Sequence, residues 1–247
     1  MTFTKSDFLG IEFVNSVPSL ESILRHEKGL NARVLHFVAV SSIVAEKSNL
    51  NLLTIFNRNW AICDSRILEL SARLIGIRFQ RYRGIDFLRD SFSEKKKAAH
   101  HFFLGSSEEN LQNLFTKLNE LSECSNVFSY ITQEYKPSDS AQILNWAHHI
   151  RESGCDVLWV ALGSPKQDYV AELLKVFVNV PIVCIGGAVD ILSGNKKEAP
   201  LFFRNLGFEW LFRFALEPRR LFRRYWVGNF RFVAIYLRWL FRGKNVS

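Results

Sequence analysis

The chain has 247 residues, of which 48% are apolar and 23% are charged, and its formal net charge is +8. This length suits one large α/β domain or two small ones, and the composition excludes wholesale disorder. The four cysteines are scattered, and no CxxC or HExxH motif occurs, which argues against a disulfide framework and a zinc site. We expect buried thiols in a reducing compartment. Because the N-terminal segment lacks the basic start and apolar core of a signal peptide, we expect a cytoplasmic protein.

In chain order, six apolar runs predict strands, and four amphipathic segments between them predict helices. The strand runs are ARVLHFVAV, NWAIC, HHFFLG, NVFSYI, CDVLWVAL and PIVCIGG. The helical segments are DSRILELSARLIG, SSEENLQNLFTKLNELSEC, SDSAQILNWAHHIRESG and KQDYVAELLKVFVN. Ser106 or Ser107 is a candidate N-cap for the second of these helices. The alternation predicts an α/β fold with a mainly parallel, Rossmann-like sheet that is covered by helices on both faces.

Three predicted strands end in glycine turns, where an open parallel sheet offers free backbone N–H groups to a ligand. These turns are FFLGSS around Gly105, VALGSPKQ around Gly163, and CIGGAVDILSG around Gly186 and Gly187. None of them is a GxGxxG motif or a P-loop. An ordinary strand-to-helix turn is the favoured interpretation of the spacing alone, and binding of an anionic ligand is the alternative.

Together with the sequence that follows, these stretches resemble one family. GSPKQDYV, RYRGIDFL and the run IGGAVDILSGNKKEAPLFFRNLGFEWLFRFALEPRRLFRRY are similar to signatures of the WecG/TagA/CpsF glycosyltransferases, glycosyltransferase family 26. The likeness extends from Val34 to Tyr225. It implies an inverting transfer of a sugar from a UDP-sugar to a polyprenyl-diphosphate-linked sugar at the cytoplasmic membrane face. The donor sugar would be of the N-acetylmannosamine type or a related hexose, and the product would enter cell-surface polysaccharide or teichoic acid. Neither a metal nor another cofactor is implied.

The resemblance assigns catalytic roles to two residues. Asp64, in AICDSRIL, matches the family's catalytic Asp and would take the proton from the acceptor hydroxyl. Without the family, Asp64 is more simply an N-cap for a helix that starts at Ser65. Gln167 matches the Gln of the Pro-Lys-Gln signature, whose amide can bind sugar hydroxyls and phosphate oxygens. Asp168 replaces the usual Glu with a shorter arm of the same charge.

A larger set is expected to bind substrate. Arg83 would face a phosphate, with a surface arginine as the alternative, and Asp190 would accept hydrogen bonds from ribose or uracil, with a helix cap as the alternative. Arginines of the C-terminal segment would reach a diphosphate, or would only meet lipid head groups. The expected substrate-binding residues are Arg83, Gly105, Gly163, Pro165, Lys166, Gly186, Gly187, Asp190, Arg213, Arg220 and Arg224.

The chain departs from the family pattern around the expected sugar pocket. Ala39 and Ser41 stand where the family carries Thr-x-Asn, and Ser65 replaces the Gly after the catalytic Asp. These changes bear on which sugars are bound more than on the class of reaction.

The C-terminal segment carries the excess positive charge of the chain. Ten Lys/Arg and two acidic residues lie from Leu201 onward, against 22 of each before it, and 14 aromatic residues accompany them. The longest apolar run, FVAIYLRWLF, is interrupted by Arg238 and is too short to span a bilayer. Pro218 should end the preceding helix. We therefore expect an α/β body over 1–217 and a basic, amphipathic helical appendage over 218–247 that binds an anionic membrane surface.

Two other functions remain open from the sequence. Arginine interleaved with aromatic residues also binds single-stranded nucleic acid, but the segment is too apolar for a free surface in water, so we expect no nucleic-acid partner. The altered VAVSS segment leaves room for a non-catalytic, membrane-associated scaffold of the same fold. Self-association is not decided by the sequence.

Overall fold

A computed structural model describes residues 4–26, 33–46, 51–93, 99–122, 126–136 and 139–243. Its centre is an eight-stranded sheet in the order β1-β2-β4-β3-β8-β7-β5-β6, in which only the β1–β2 pair is antiparallel. The strands are β1 Lys5–Phe8, β2 Ile11–Val14, β3 Val34–Val38, β4 Trp60–Cys63, β5 His100–Leu104, β6 Val127–Ile131, β7 Val157–Val160 and β8 Ile182–Cys184.

Helices connect the strands and complete the C-terminal part of the described chain. They are α1 Leu20–His26, α2 Val40–Glu46, α3 Asn51–Arg58, α4 Arg66–Arg73, α5 Gly84–Ser93, α6 Glu108–Leu121, α7 Ser140–Ser153, α8 Lys166–Leu174, α9 Ala188–Leu192, α10 Leu201–Leu206, α11 Glu209–Leu216 and α12 Pro218–Gly243. Ser107 caps α6 by accepting a hydrogen bond from the Asn110 N–H at 3.3 Å.

The predicted α/β fold with a mainly parallel sheet is confirmed. Each of the six predicted strands and four predicted helices contains the corresponding element of the structure. The β1–β2 hairpin was not predicted, because its two strands are only four residues long and charged or polar residues interrupt them. It turns through Leu9 and Gly10, both with positive φ, and extends the sheet at its β4 edge.

The inner strands β3, β4, β7 and β8 are buried on both faces, because successive side chains point to opposite sides of the sheet and helices cover both sides. One face carries Leu35, Phe37, Ile62, Phe103 and Trp159, which pack against α5, α6 and α9. The opposite face packs in two groups. Leu158, Val160 and Ile182 meet α7 and α8, whereas Val38, Ala61 and Cys63 meet α3, α4 and part of α12. The described cysteines, Cys63, Cys155 and Cys184, are buried free thiols, as expected, and Cys124 lies outside the described residues.

The C-terminal helix α12 lies against the body. The predicted break is confirmed, since α11 ends at Leu216 and α12 begins at Pro218, a favoured first helical residue. Phe232 and Ile235 are buried in the same core as Phe8. The Tyr236 hydroxyl donates a hydrogen bond to the Ser71 carbonyl at 3.0 Å. None of the described helices is both long enough and apolar enough to cross a bilayer.

The strand order positions the ends of four strands together. Strands β4, β3, β8 and β7 are consecutive neighbours and run parallel, so their carboxyl ends meet at one edge of the sheet. Strand β5 lies beyond β7, one place farther along. The turns after β3, β4, β7 and β8 can therefore surround one space, and the turn after β5 borders it at most from the side.

Candidate active site at the carboxyl edge of the sheet

A cavity of about 610 Å³ lies at the carboxyl ends of β4, β3, β8 and β7. Its volume is in the range of natural small-molecule sites. Part of the lining comes from the strand-end turns, and another part, called the far side, comes from the segment that runs from α9 into α12. Residues from the strand ends that line it include Ala39, Ser41, Ser42, Asp64, Arg83, Gly163, Ser164, Gln167, Gly186 and Gly187. Residues from the far side include Lys196, Lys197, Arg204, Glu209, Trp210 and Arg213.

Asp64 lies in this cavity directly after β4 and does not cap α4. The N-cap of α4 is Ser65, and the Asp64 carboxylate instead accepts a hydrogen bond from the Gly84 N–H at 3.0 Å. Burial, reinforced by the negative charge of Glu209, raises the pKa of Asp64 to about 7. The Gly84 N–H and the charges of Arg83 and Arg213 oppose this rise. The result is a carboxyl group that can take up or release a proton near neutral pH.

Arg83 lines the cavity, but carboxylates surround its guanidinium. It is buried, with 4% of the residue exposed, so it is not a surface arginine. It donates hydrogen bonds to Glu198 at 2.9 and 3.0 Å and to Asp86 at 3.3 Å, and it lies 3.6 Å from Glu209. Arg83 therefore links the start of α5 to the segments before α10 and in α11. Any phosphate at this position would have to share the guanidinium with these acids.

Glu198 is the centre of this ionic cluster. Arg89 and Arg204 also donate to it, at 2.8 and 2.6 Å. Although burial works in the other direction, the hydrogen bond from Arg83 and the charges of Arg89, Arg83 and Arg204 hold the pKa of Glu198 below its ordinary value. A network of this kind fixes three segments in one arrangement and so gives the cavity a defined far side.

Gln167 lies in the first turn of α8, is buried, and belongs to the cavity lining. The Nε2 group donates to the Cys184 carbonyl at 3.4 Å, and Oε1 is buried without a partner among the described residues. Gly186 has a positive φ, and a Cβ at that position would lie 3.4 Å from Oε1. A side chain at 186 would therefore crowd the free end of the amide.

Asp168, the neighbour of Gln167, points away from the cavity into a buried hydrogen-bond chain. One carboxylate oxygen accepts from the His36 Nδ1–H at 2.7 Å, and the other accepts from the Ser164 hydroxyl at 2.7 Å. Ser164 Oγ lies 3.3 Å from Ser42 Oγ, and both serines line the cavity. The chain connects the turn after β7 to the turn after β3.

His36, Asp168 and Cys184 form the one group of possible metal ligands that the described residues bring together, with their ligand atoms within 4.8 Å of one another. Both oxygens of Asp168 are already used in hydrogen bonds. Burial raises the pKa of the Cys184 thiol well above its ordinary value, so the thiolate that a metal needs is disfavoured. The arrangement is better described as a buried hydrogen-bond network that connects two turns than as a metal centre.

Several residues expected to bind substrate do not line the cavity. The Lys166 ammonium donates to Glu134 at 3.0 Å on the surface, and the Asp190 carboxylate binds Lys196 and accepts from Asn110 at 3.3 Å. Asp190 thus lies within α9 and does not act as its cap. Pro165 is the N-cap residue of α8, and Gly105 packs against Ala161 and Leu162. The side chains of Arg220 and Arg224 lie outside the described residues.

The cavity contains functional candidates that we did not predict from sequence. Ser42, Ser164, Arg204 and Glu209 all line it. Glu209 stands in the Glu-Trp pair of the C-terminal signature, so that signature contained a signal for it. Neither serine has any distinctive local pattern, because each becomes important only when the turns after β3 and β7 meet.

The cavity lining is rich in positive charge. Its cationic residues are Arg66, Arg81, Arg83, Lys196, Lys197, Arg204 and Arg213, and its acidic residues are Asp64, Glu209 and Glu217. Six of these seven cations lie in ion pairs with Glu69, Glu198, Asp190 or Glu209, so an anionic ligand would share them with these carboxylates. Among models of protein families, the glycosyl transferase WecG/TagA/CpsF family matches this chain over residues 6–246. The match covers almost the whole sequence and includes every element that lines the cavity.

Proposed function

Since this chain belongs to the WecG/TagA/CpsF family of glycosyl transferases, we propose that it moves a sugar from a UDP-sugar to a polyprenyl-diphosphate-linked sugar with inversion at the anomeric carbon. The sugar is of the N-acetylmannosamine type or a related hexose. The observation that carries the proposal is the position of Asp64, a carboxyl group with a pKa of about 7 in a cavity that also contains Gln167 and a cationic far side.

Asp64 is the proposed general base. In its ionised form it accepts the proton of the acceptor hydroxyl while the oxygen attacks the anomeric carbon from the face opposite to UDP. The new glycosidic bond forms as the bond to the UDP oxygen breaks. The electron pair leaves with UDP, and the proton stays on Asp64. Because Asp64 must be ionised to act, the rate should rise as the pH passes through about 7.

The cationic far side of the cavity is the proposed place for the diphosphate. Arg213 and Arg204 come from α11 and α10, and Lys197 comes from the loop before them. Positive groups that are already in place when negative charge develops on the leaving diphosphate stabilise the transition state without reorganisation. Arg220 and Arg224, in the adjoining α12, are proposed to contribute to the same region.

Helix α12 is the proposed attachment to the membrane, with 218–247 as the attached segment and 1–217 as the catalytic body. Arg231 and Arg238 are exposed on it, together with Phe230 and Phe241. Cations near an anionic leaflet and aromatic side chains at its surface both favour peripheral binding. This location would bring a lipid-linked acceptor to the cavity, as assembly of cell-surface polysaccharide or teichoic acid requires.

The test replaces Asp64 with Asn. Asp64→Asn should retain the fold and UDP binding but lower the rate of transfer to a short prenyl-diphosphate-N-acetylglucosamine by about 10²- to 10⁴-fold, the range for loss of a general base. Asp7→Asn is a matched control, because burial also raises the pKa of Asp7 but the residue lies in β1 outside the cavity lining.

Transfer would be measured with a panel of UDP-sugars, and binding of UDP by calorimetry. Normal turnover by Asp64→Asn would remove Asp64 from the mechanism. A wild-type protein that binds none of the UDP-sugars would contradict the proposed reaction and would favour a non-catalytic scaffold of the same fold.

A further inference from the structure

The hydrogen bonds of Asp168 fix the direction of the hydroxyl beside it. Asp168 is 2% exposed, and its carboxylate can only accept. His36 therefore donates its Nδ1–H to Asp168 Oδ1, and Ser164 donates its single hydroxyl proton to Asp168 Oδ2, each at 2.7 Å. Ser164 Oγ can then only accept from any other neighbour. The side of Ser164 that faces the cavity offers lone pairs and no proton.

Ser42 fits this direction. Its oxygen accepts from the Ala39 N–H at 3.4 Å and lies 3.3 Å from Ser164 Oγ, so its own proton points toward Ser164. The donated protons run from the turn after β3 through Ser42 and Ser164 to Asp168. Every group in this chain of hydrogen bonds is buried or partly buried. If the donors and acceptors were exchanged, one donor would face another donor, and an unpaired buried donor costs substantial free energy.

Gln167 presents an acceptor to the same side of the cavity. Since its Nε2 group is bonded to the Cys184 carbonyl, the free end of the amide is Oε1, which is buried and has no partner among the described residues. A buried carbonyl oxygen without a partner is costly, and a ligand N–H or O–H would remove that cost. Ser164 and Gln167 are thus two residues of the cavity lining that each carry an acceptor available to a ligand.

Arg204 and Arg213, from α10 and α11, bring donors to the cavity lining. Arg204 bonds Glu198 through Nη1, but its Nε–H is buried without a partner among the described residues. Arg213 also lines the cavity and carries further N–H groups. A phosphate oxygen suits these donors and is repelled by the lone pairs of Ser164 and Gln167. The two sides of the cavity therefore select for chemically different groups.

We propose that Ser164 and Gln167 form a subsite that accepts hydrogen bonds from the hydroxyl or amide N–H groups of a sugar ring and rejects phosphate. Asp168 and His36 are positioning residues that set the direction of the Ser164 proton. This inference rests on the proposed function and adds to it the orientation of the ligand, with the sugar at the strand ends of β7 and β8 and the diphosphate beside Arg204. The sugar is that of the UDP-sugar or that of the lipid-linked acceptor, since both carry the same donor groups.

The first test removes the Ser164 hydroxyl. In the donor arm, affinities for UDP, UDP-glucose and UDP-N-acetylmannosamine are measured by calorimetry without acceptor. In the acceptor arm, KM is measured for prenyl-diphosphate-N-acetylglucosamine. Ser164→Ala should weaken the binding of either the donor sugar or the acceptor sugar about five- to tenfold, as expected for loss of one hydrogen bond. The affinity for UDP should stay within about twofold of the wild type. Ser164→Thr, which keeps a hydroxyl, should restore binding.

The second test reverses the direction of hydrogen-bond donation between Ser164 and residue 168 with a side chain of nearly the same shape. In Asp168→Asn the amide oxygen still accepts from His36, and the NH₂ group faces Ser164. With Ser42 still donating to Ser164, as in the wild type, the Ser164 proton then turns toward the cavity. This variant should lose sugar binding to a similar extent as Ser164→Ala, although Ser164 is still present. Ser91→Ala is the control, because Ser91 is a buried serine whose hydroxyl bonds the Phe87 carbonyl outside the cavity.

The outcomes separate this inference from the proposed function. A loss of sugar binding in both variants with unchanged UDP affinity supports the subsite. If Asp168→Asn does not fold, Ser164→Ala decides. Unchanged sugar binding in both arms, or an equal loss of UDP itself, would overturn the subsite while leaving the glycosyl transfer in place. A wild-type protein that binds no UDP-sugar would overturn the proposed function, and this inference with it.

Discussion

Asp64 and Glu209 are two carboxylates that share one cavity and differ in their partners. Glu209 accepts from Arg213 at 2.9 Å and lies 3.6 Å from Arg83, so its charge is well compensated. Asp64 has one backbone N–H as its hydrogen-bond donor, at 3.0 Å. The negative charge of Glu209 helps to hold the proton on Asp64. This difference is what suits Asp64, and not Glu209, to the role of a base.

The first residue-scale prediction follows from this pair. Glu209→Gln removes a negative charge near Asp64 and frees Arg83 and Arg213 to act on it, so both changes lower the pKa of Asp64. The acidic limb of kcat/KM against pH, which we expect near pH 7 in the wild type, should move to lower pH by about one unit or less.

The measurement is a pH–rate profile for the wild type, Glu209→Gln and the control Glu134→Gln, whose carboxylate pairs with Lys166 outside the cavity lining. The quantity compared is the pH at the midpoint of the acidic limb, because the plateau value of kcat/KM also depends on the position of Arg213. A limb that stays in place or moves to higher pH would show that Glu209 does not tune Asp64.

At the scale of elements, helix α12 joins two different surfaces. Phe232 and Ile235 face the body and are 5% and 8% exposed, whereas Val233 on the same helix is 51% exposed. Arg231 and Arg238 are also exposed. The apolar residues of this basic segment therefore divide into two groups, because some complete the core near β1 and others stay exposed, where the proposed membrane attachment would use them.

This division gives a prediction that separates folding from membrane binding. Ile235→Ala should lower the free energy of unfolding by about 2–4 kcal/mol, the cost of truncating a buried aliphatic side chain. The control Val233→Ala should change it by about 0.5 kcal/mol or less. The double variant Arg231→Ala/Arg238→Ala should keep its stability but bind anionic vesicles about 30-fold more weakly, since each of the two cations contributes about 1 kcal/mol near such a surface.

Denaturant unfolding and cosedimentation with vesicles that contain anionic lipid measure the two effects. Equal losses of stability in the Ile235 and Val233 variants would contradict the packing of α12. Vesicle binding that is unaffected by the double arginine variant would contradict the membrane role of its exposed face. Steeply salt-dependent binding to single-stranded nucleic acid, without preference for anionic vesicles, would instead favour the nucleic-acid alternative.

At the scale of the whole molecule, the active site carries a cost in stability. The pKa of Asp64 is raised in the folded protein, so folding favours its protonated form. The unfolded chain releases this proton at lower pH, near 3.8. Between these two values the folded protein binds more protons than the unfolded chain, and its stability must fall as the pH rises from about 4 to about 7. Above pH 7 this contribution is constant.

The corresponding prediction concerns Asp64→Asn. Because the amide cannot ionise, the variant should be more stable than the wild type at pH 8, by up to about 4 kcal/mol if the full shift of about three units is realised. The advantage should shrink as the pH is lowered toward 4. Denaturant unfolding of both proteins at pH 5 and pH 8 measures this difference, and an advantage that does not grow with pH would show that Asp64 is not destabilised by its surroundings.

Local patterns were sufficient for the fold class and for part of the site. The six strands and four helices were predictable because a continuous apolar run marks a strand of a covered parallel sheet, and a period of 3.6 in apolar residues marks a helix with one buried face. The hairpin of β1 and β2 was not predictable, because it is too short to show such a period. Asp64 and Gln167 were identifiable only through the resemblance of their motifs to the family's signatures, and the structure brings both into one cavity.

The sequence by itself determined which side chains stand at the ends of the strands, because each strand and its turn are encoded within about ten consecutive residues. Only the tertiary structure decided which of these ends meet, since the order β4-β3-β8-β7 excludes Gly105 after β5 and joins Ser42 to Ser164. It also decided that carboxylates neutralise Arg83 and that the Ser164 proton points to Asp168. Both results depend on partners that are distant in the chain, and a local pattern contains no information about the direction of a hydrogen bond between them.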